Sequence, residues 1–331
     1  MSHHSGPVVT TAQGAVRGRR QDEGTAAFLN IPYAAPPLGA GRFAPPQPHE
    51  PWDGVREATA PGPNAPQAER RLGSLDMVPY FGTGWSRGGD YLTVNVWAPA
   101  AAQGGLPVMV FVHGGGFVAG SARAALYDGS AFARDGVVLV TLSYRLSIAG
   151  FLDLPGAPAN RATSAAEDVD DTAARSHPDP ARLVETYRRT RPKASYGALR
   201  SAIMTDALFG ADSRALATAH SSHTGSSTLA YEFAWRSHAL DRELGAAHAV
   251  ELPFVFDLTH LPQLLGPAAL LGPDKPPADL AARMHETWIR FAATGDPGWD
   301  PYDTERRATM RIDAEWSQVD DPRGEERQVW S

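Results

Sequence analysis

Two apolar runs, PVMVFVH (107–113) and GVVLVTLSYR (136–145), constrain this chain more than any other feature. Both are rich in β-branched residues and almost free of polar ones, which suits strands buried on both faces of a largely parallel sheet. The segment ALYDGSAFARDG between them predicts a short helix, so the pair reads as a βαβ unit. The first run ends in His113 and three glycines, Gly114, Gly115 and Gly116. Without Cβ atoms, such residues let backbone N–H groups turn toward a small acceptor at no steric cost. A loop of this kind faces an anion or a developing oxyanion.

Composition narrows the choices further. The 331 residues are 43% hydrophobic and 20% charged, a globular balance with enough chain for a sizeable core, and one domain spanning 1–331 is expected. No run approaches the roughly 18–20 apolar residues that cross a bilayer, and the start MSHHSGP lacks the order of a signal peptide. The expectation is a cytoplasmic protein. Zero cysteines exclude disulfides and thiolate chemistry and fit a reducing compartment. A net charge of −7 disfavours nucleic acid and anionic membranes as partners.

Along the chain, VVTTAQGAVRG predicts an antiparallel hairpin and YLTVNVWAP (91–99) a strand. Long irregular loops are expected where glycine and proline gather, as in IPYAAPPLGAGRFAPPQPHEP. From Pro178 onward, PARLVETYRRT and SYGALRSAIMTDALFGADSRALATAHSSH place apolar residues three and four apart, the helical spacing. STLAYEFAWR predicts a strand, PADLAARMHETWIRFAATG a helix closed by Gly295, and TMRIDAEWSQV one more strand.

Several segments carry a family resemblance. FLNIPYAAPPLGAGRFAPPQP, PWDGVREATAPGPNAPQ, GGDYLTVNVWAPA, VMVFVHGGGFVAGS and VTLSYRLSIAGFLDL resemble the N-terminal half of the type-B carboxylesterases, which include bacterial para-nitrobenzyl esterases and cholinesterases. LAYEFAWRS, LGAAHAVELPFVFD, WIRFAATGDPGW and YDTERRATMRID resemble the C-terminal part, in family order. The resemblance implies an α/β-hydrolase fold, with a mostly parallel central sheet and helices on both faces. It also implies hydrolysis of small-molecule carboxylic esters through a Ser-His-acid triad and an acyl-enzyme, with no metal or organic cofactor. Carried over by position, Gly115 and Gly116 match the loop residues whose N–H groups bind the oxyanion. His248 matches the histidine that takes the serine proton, a task that suits imidazole because it titrates near neutrality. His113, His220, His223, His260 and His285 read as hydrogen-bonded structural residues.

Departures from the family pattern are equally informative. Asn64 and Tyr91 occupy the positions of two cysteines that the family commonly pairs, which leaves that loop unclamped on this reading. Gly88 and Gly89 replace a serine and a glutamate, removing an expected salt bridge to Arg145. More consequentially, GFLDLPGAPANR runs straight into ATSAAEDVDDTAARSHPDP, where the family continues into a strand and a G-E-S-A-G-type elbow. The nucleophile, the helix after it and the triad acid are therefore missing, as if by an internal deletion at about 161–162. Gly84-Trp85-Ser86-Arg87-Gly88 matches G-x-S-x-G, yet it has a loop before it and a strand after it, the reverse of an elbow. Ser164 also lacks a preceding strand. Glu167, Asp168, Asp170 and Asp171 read as a solvated loop or helix start, although one of them could orient His248.

An elbow strand is central in a doubly wound sheet, so its loss predicts an incomplete fold with exposed strand edges. Three readings stay open. The chain is an esterase by lineage with little or no activity, a non-catalytic binding or interaction protein on the same fold, or an internally deleted version of a normal esterase.

Overall fold

The computed structural model describes residues 6–42, 46–70, 72–101, 104–147, 166–223 and 225–330. The expected junction at 161–162 and Ser164 lie outside the described residues. The chain divides into two compact units, one of Met1–Leu154 with Trp235–Gly298 and one of Pro155–Ala234 with Trp299–Ser331.

In the first unit, β1 (Val8–Thr11) and β2 (Gly14–Arg17) form the predicted antiparallel hairpin. A larger sheet contains β3 (Arg19–Arg20) and β4 (Thr25–Pro32), while β5 (Val55–Glu57) joins β2 in parallel. Its other members are β6 (Thr93–Pro99), β7 (Val108–Val112) and β8 (Val138–Leu142). The order is β3-β4-β6-β8-β7, antiparallel except for the parallel pair β7 and β8. The helix Ser130–Arg134 links those two strands, completing the βαβ unit read from the sequence. Its Phe132 and the Leu139 of β8 are fully buried, a contribution of about 2 kcal/mol each.

β7 departs from the expected burial on both faces. It stands at the sheet edge, and Val108, Val110 and Val112 are 60%, 59% and 57% exposed. Only the opposite face is covered: Phe111 meets Tyr127 and Phe256 at ring-centroid distances of 4.8 and 5.1 Å. The composition of the run suits a strand covered on both faces, whereas among the described residues β7 has one partner strand and one covered face.

Residues Ala278–Thr294 form the predicted helix, which ends at Gly295 in the left-handed conformation, φ +74°. Its His285, 3% exposed, ties three segments together. Nδ1 lies 2.7 Å from the Val255 carbonyl, Nε2 stands 3.1 Å from Asp135 Oδ2, and the ring edge meets Phe132.

The second unit begins, among the described residues, with the helix Ala166–Ser176, so the acidic run lies in a helix. Helices Pro180–Thr190 and Tyr196–Thr205 follow, capped by the side chains of Asp179 and Ser195. A π-helical turn, Asp206–Gly210, leads into Ala211–Ser221. Val169, Ala173, Leu183, Tyr187, Leu199, Ile203 and Val329 form its core. Two buried carboxylates are neutralised beside that core. Glu326 accepts from Arg191 Nε and Nη2, both at 2.8 Å, and from Thr190 Oγ1 at 2.7 Å. Asp206 accepts from Arg214 Nη1 at 2.8 Å and from the Tyr187 hydroxyl.

The predicted strand near Tyr231 is β9 (Ala230–Phe233), and it pairs in parallel with β10 (Thr309–Ile312). The segment TMRIDAEWSQV supplies two strands rather than one, because Ser317–Val319 turns back as β11 against β10. No helix among the described residues is long and apolar enough to cross a membrane.

Candidate active site

The glycine loop leaves the end of β7 and turns at two successive positive φ angles, +126° at Gly115 and +60° at Gly116. A Cβ on Gly115 would lie 1.9 Å from the Ala119 carbonyl oxygen, so only glycine fits that turn. The Gly115 carbonyl in turn accepts from the N–H groups of Val118 and Ala119 at 3.3 and 3.2 Å. Gln67 holds the far end of the loop with both halves of its amide, accepting from Gly120 N–H at 2.9 Å and donating to Gly120 O at 2.8 Å. Among the described residues, neither the Gly115 nor the Gly116 N–H has an acceptor. Adjacent donors fixed in this way can receive developing negative charge without reorganising.

His113 anchors the start of the loop and is 3% exposed. Its ring stacks on Tyr144 at 4.5 Å, its Nδ1 donates to Gly114 O at 2.9 Å, and the Tyr144 hydroxyl donates to His113 O at 2.8 Å. Burial holds its pKa below the ordinary histidine value, partly offset by the bond to Gly114. His220, His223 and His285 likewise make the hydrogen bonds of structural residues.

His248 lies exposed in a turn of the same compact unit as the glycine loop. Ala249 follows it at φ +70°, an uncommon conformation for a residue with a side chain. The buried Tyr80 hydroxyl donates to Ala249 O at 3.2 Å, fixing the turn from a distant segment. The short helix Leu252–Val255 comes next and ends at Phe256, whose ring meets Phe111 of β7 at 5.1 Å. The histidine segment and the strand that delivers the glycines are thus bound to one aromatic cluster.

Glu251 was not singled out by sequence reasoning. Burial raises its carboxyl pKa above the usual glutamate range, and its own backbone N–H and His248 oppose the rise. It also lies within electrostatic reach of Tyr80 and Tyr127, whose own pKa values are raised chiefly by burial. A carboxyl three residues after a histidine has no elbow or triad spacing to betray it. Its burial comes from residues far away in the sequence.

Ser86 is not placed as a nucleophile. Its hydroxyl accepts from Arg123 Nη1 at 2.7 Å, and its backbone is held by Asn64. Asn64, 2% exposed, accepts from Ser86 N–H at 2.7 Å through Oδ1 and donates from Nδ2 to Gly84 O at 2.8 Å. The loop expected to be unclamped is therefore tied by a side-chain amide, which can bridge two backbone groups where a disulfide would join two sulfurs. Of the acidic run, Asp170 and Asp171 are exposed on the helix Ala166–Ser176 of the second unit.

Comparison with known proteins places these features in context. The model described as the carboxylesterase family matches residues 5–164 and 165–330. The chain is 46% identical over 147 residues to a fumonisin B1 esterase from Sphingopyxis macrogoltabida, covering 44% of this chain and 25% of that protein. It is 44% identical over 149 residues to a para-nitrobenzyl esterase from Bacillus subtilis, covering 44% and 29%. The matches thus span only 25–29% of the length of these relatives. Among solved structures, a PNB esterase superposes with a TM-score of 0.73 at 24% identity, covering 98% of this chain and 99% of the other. A Geobacillus stearothermophilus carboxylesterase gives 0.70 at 22% identity, covering 98% and 100%. These likenesses show an α/β-hydrolase fold.

Proposed function

We propose that this chain, which belongs to the carboxylesterase family, carries the remnant of a serine-esterase site, with Gly115 and Gly116 as oxyanion donors by descent and His248 as the former proton carrier. The observation that supports this most is the pair of adjacent N–H groups at the end of β7, both at positive φ and both without an acceptor among the described residues. In the parental reaction those groups stabilise the oxyanion formed when a serine oxygen attacks an ester carbonyl carbon. The histidine takes the serine proton and returns it to the departing alkoxide, and water then releases the acyl group. Small-molecule carboxylic esters are the substrates on this reading, and the chemistry calls for neither a metal nor an organic cofactor.

The chain itself has no recognisable elbow serine or triad acid. Loss of a triad serine costs on the order of a millionfold in turnover, while oxyanion donors and binding together leave roughly a thousandfold over water. Trace hydrolysis or none is the consequence. An internal deletion in an ordinary esterase accounts for the gap, and two facts support it. The family match falls into blocks meeting at 164 and 165, close to the abrupt junction, and the matched relatives share only 25–29% of their length with this chain. A non-catalytic binding role is the second reading. It is favoured by Ser86, whose hydroxyl is engaged by an arginine rather than an imidazole.

The purified 331-residue chain is expected to hydrolyse short para-nitrophenyl esters at no more than a trace rate and to take no label from a fluorophosphonate probe. Stoichiometric labelling of one serine overturns the assignment and identifies the nucleophile. Sequencing the locus separates the deletion from the binding reading: a strand-elbow-helix segment between Arg161 and Ala162 restores catalysis to the parent protein.

A further inference from the structure

One face of the large sheet in the first unit is apolar across four adjacent strands, β4, β6, β8 and β7. The register sets Phe28 opposite Val96, Val96 opposite Val140 and Val140 opposite Val110, so these side chains form one row on the same face. Val108 with Val138, and Val112 with Leu142 and Val94, flank that row. No position named here is charged. The cover over the face runs out along the row. Phe28, 7% exposed, is packed with Val16 and Ala58, and Val96 and Trp52 lie against that cluster. Val140 is half-buried, and Val110 is more than half exposed with Val108 and Val112 beside it. The small sheet of β1, β2 and β5 thus begins a second layer over β4 and β6, and among the described residues nothing continues it over β7.

Water does not offset this exposure as it offsets an exposed charge, because apolar surface gains by leaving water in proportion to its area. The three exposed valines and their half-buried neighbours present on the order of 300 Å² of contiguous apolar surface, the size at which patches on soluble proteins mark interaction sites. A standard interface buries about 800 Å² per partner, so this patch with its flanks supports a weak, reversible association rather than a permanent one. Shape and charge indicate the partner. A twisted aliphatic sheet face packs best on another sheet face of the same twist, about 10 Å away, with the side chains interdigitating. A copy of the same chain carries such a face, and a two-fold arrangement needs only one self-complementary patch. The chain has a net charge of −7, so two copies repel over most of their surfaces, and a contact between them belongs where charge is absent.

We propose that two copies of this chain associate reversibly through the valine face of β7 and β8, sheet against sheet, with β7 of each copy lying over β8 of the other. A two-fold axis along the strands gives this overlap and keeps the β1-β2-β5 layers of the two copies at opposite ends, so each copy continues the second layer that the other leaves unfinished. Val110, at the middle of the exposed row, sits near the centre of the contact. The association does not depend on ester hydrolysis and is compatible with either reading of the site.

Sedimentation velocity of the full chain over a range of about 1–200 μM should show monomer giving way to dimer, with a Kd on the order of 10–100 μM, as suits a small interface. Val110→Glu buries a carboxylate from each copy in the contact and should weaken the dimer at least about tenfold. Val110 is 59% exposed in the single chain, so that variant should keep the urea midpoint of the parent. If Val110→Glu does not fold, Val110→Thr carries the test, with a Kd raised at least about threefold by the polar hydroxyl. The chain has no cysteine, so Val110→Cys introduces a single thiol. Its reaction with a maleimide should be fast in dilute protein and slowed at concentrations where the dimer forms. Val8→Cys, at an exposed valine of β1, should react at one rate throughout. Monomer at every concentration, growth past the dimer without a plateau, or a dimer of unchanged strength in the Val110 variants overturns the proposal. So does a Val110→Cys thiol shielded even in dilute protein, which would mean that the chain covers this face itself.

Discussion

Alanine at Gly115 and at Gly116 adds the same methyl group to neighbouring residues, but the two substitutions should differ sharply in cost. At Gly115 the new Cβ would lie 1.9 Å from Ala119 O and 2.6 Å from its carbon, well inside the 3.0 Å that real Cβ contacts respect. Ala119 cannot easily retreat: it is 1% exposed, donates to Gly115 O at 3.2 Å, and precedes the Gly120 that Gln67 grips. Overpacking adds about 1–3 kcal/mol and the unfavourable φ of +126° about as much again, so Gly115→Ala should lose about 3–4 kcal/mol. Gly116 has open space around its Cβ position and φ +60°, so Gly116→Ala should lose only the left-handed penalty of about 1–2 kcal/mol. A gap of about 2 kcal/mol is roughly thirtyfold in the folded-to-unfolded ratio. Urea unfolding followed by tryptophan fluorescence reads it directly, provided the two variants share the same slope. Equal midpoints, or a milder loss at Gly115, would refute the geometry assigned to the loop and with it the two donors proposed there.

Three further outcomes are expected. Ala249→Gly relieves the backbone at φ +70° beside His248 and should raise stability by about 0.5–1 kcal/mol, seen as a higher urea midpoint. Glu326→Ala strands Arg191 in a partly buried site and should cost about 3 kcal/mol by urea unfolding, with Glu326→Gln losing less because it still accepts hydrogen bonds. His113 has a folded pKa below its unfolded value, so the unfolded chain takes up the proton first as pH falls. Its contribution to stability is complete above the unfolded value of about 6.5 and is lost as pH drops through the lower folded value. Comparing urea midpoints above and below that range should show a smaller fall in His113→Phe, whose ring can keep the stack on Tyr144.

Local patterns made much of this architecture legible. The βαβ unit around β7 and β8, the hairpin at the start and the helix stop at Gly295 follow from periodicity and glycine placement, which act over a few residues. The second strand of TMRIDAEWSQV was hidden because Ser317–Val319 is short and half polar, and its pairing with β10 defines it more than its composition does. An apolar run alone does not record whether its strand has neighbours on both sides, so the exposed edge of β7 was legible from the missing elbow strand and not from the run itself. At the candidate site, the glycines and His248 stood out as residue types in a pattern. Glu251 did not, because its environment comes from Tyr80 and Tyr127, more than a hundred residues earlier in the sequence. Asn64 reads as the loss of a cysteine and acts as a different clamp.

Neither compact unit is a continuous piece of chain, and this fixes an order of assembly during synthesis. The strands through β8 and the glycine loop leave the ribosome early, but Phe256 and the helix Ala278–Thr294 belong to the same unit and are encoded after the whole of Pro155–Ala234. At about 5–20 residues per second, the delay between Leu154 and Gly298 is on the order of 10 s. Until Phe256 is made, well into that interval, Phe111 and Phe132 are without the ring that meets them in the finished unit, and the segment bearing His248 is made only shortly before it. The nascent chain thus keeps an apolar strand without its finished packing for far longer than a contiguous domain of the same size would, and the rate of translation becomes a variable in the yield of folded protein.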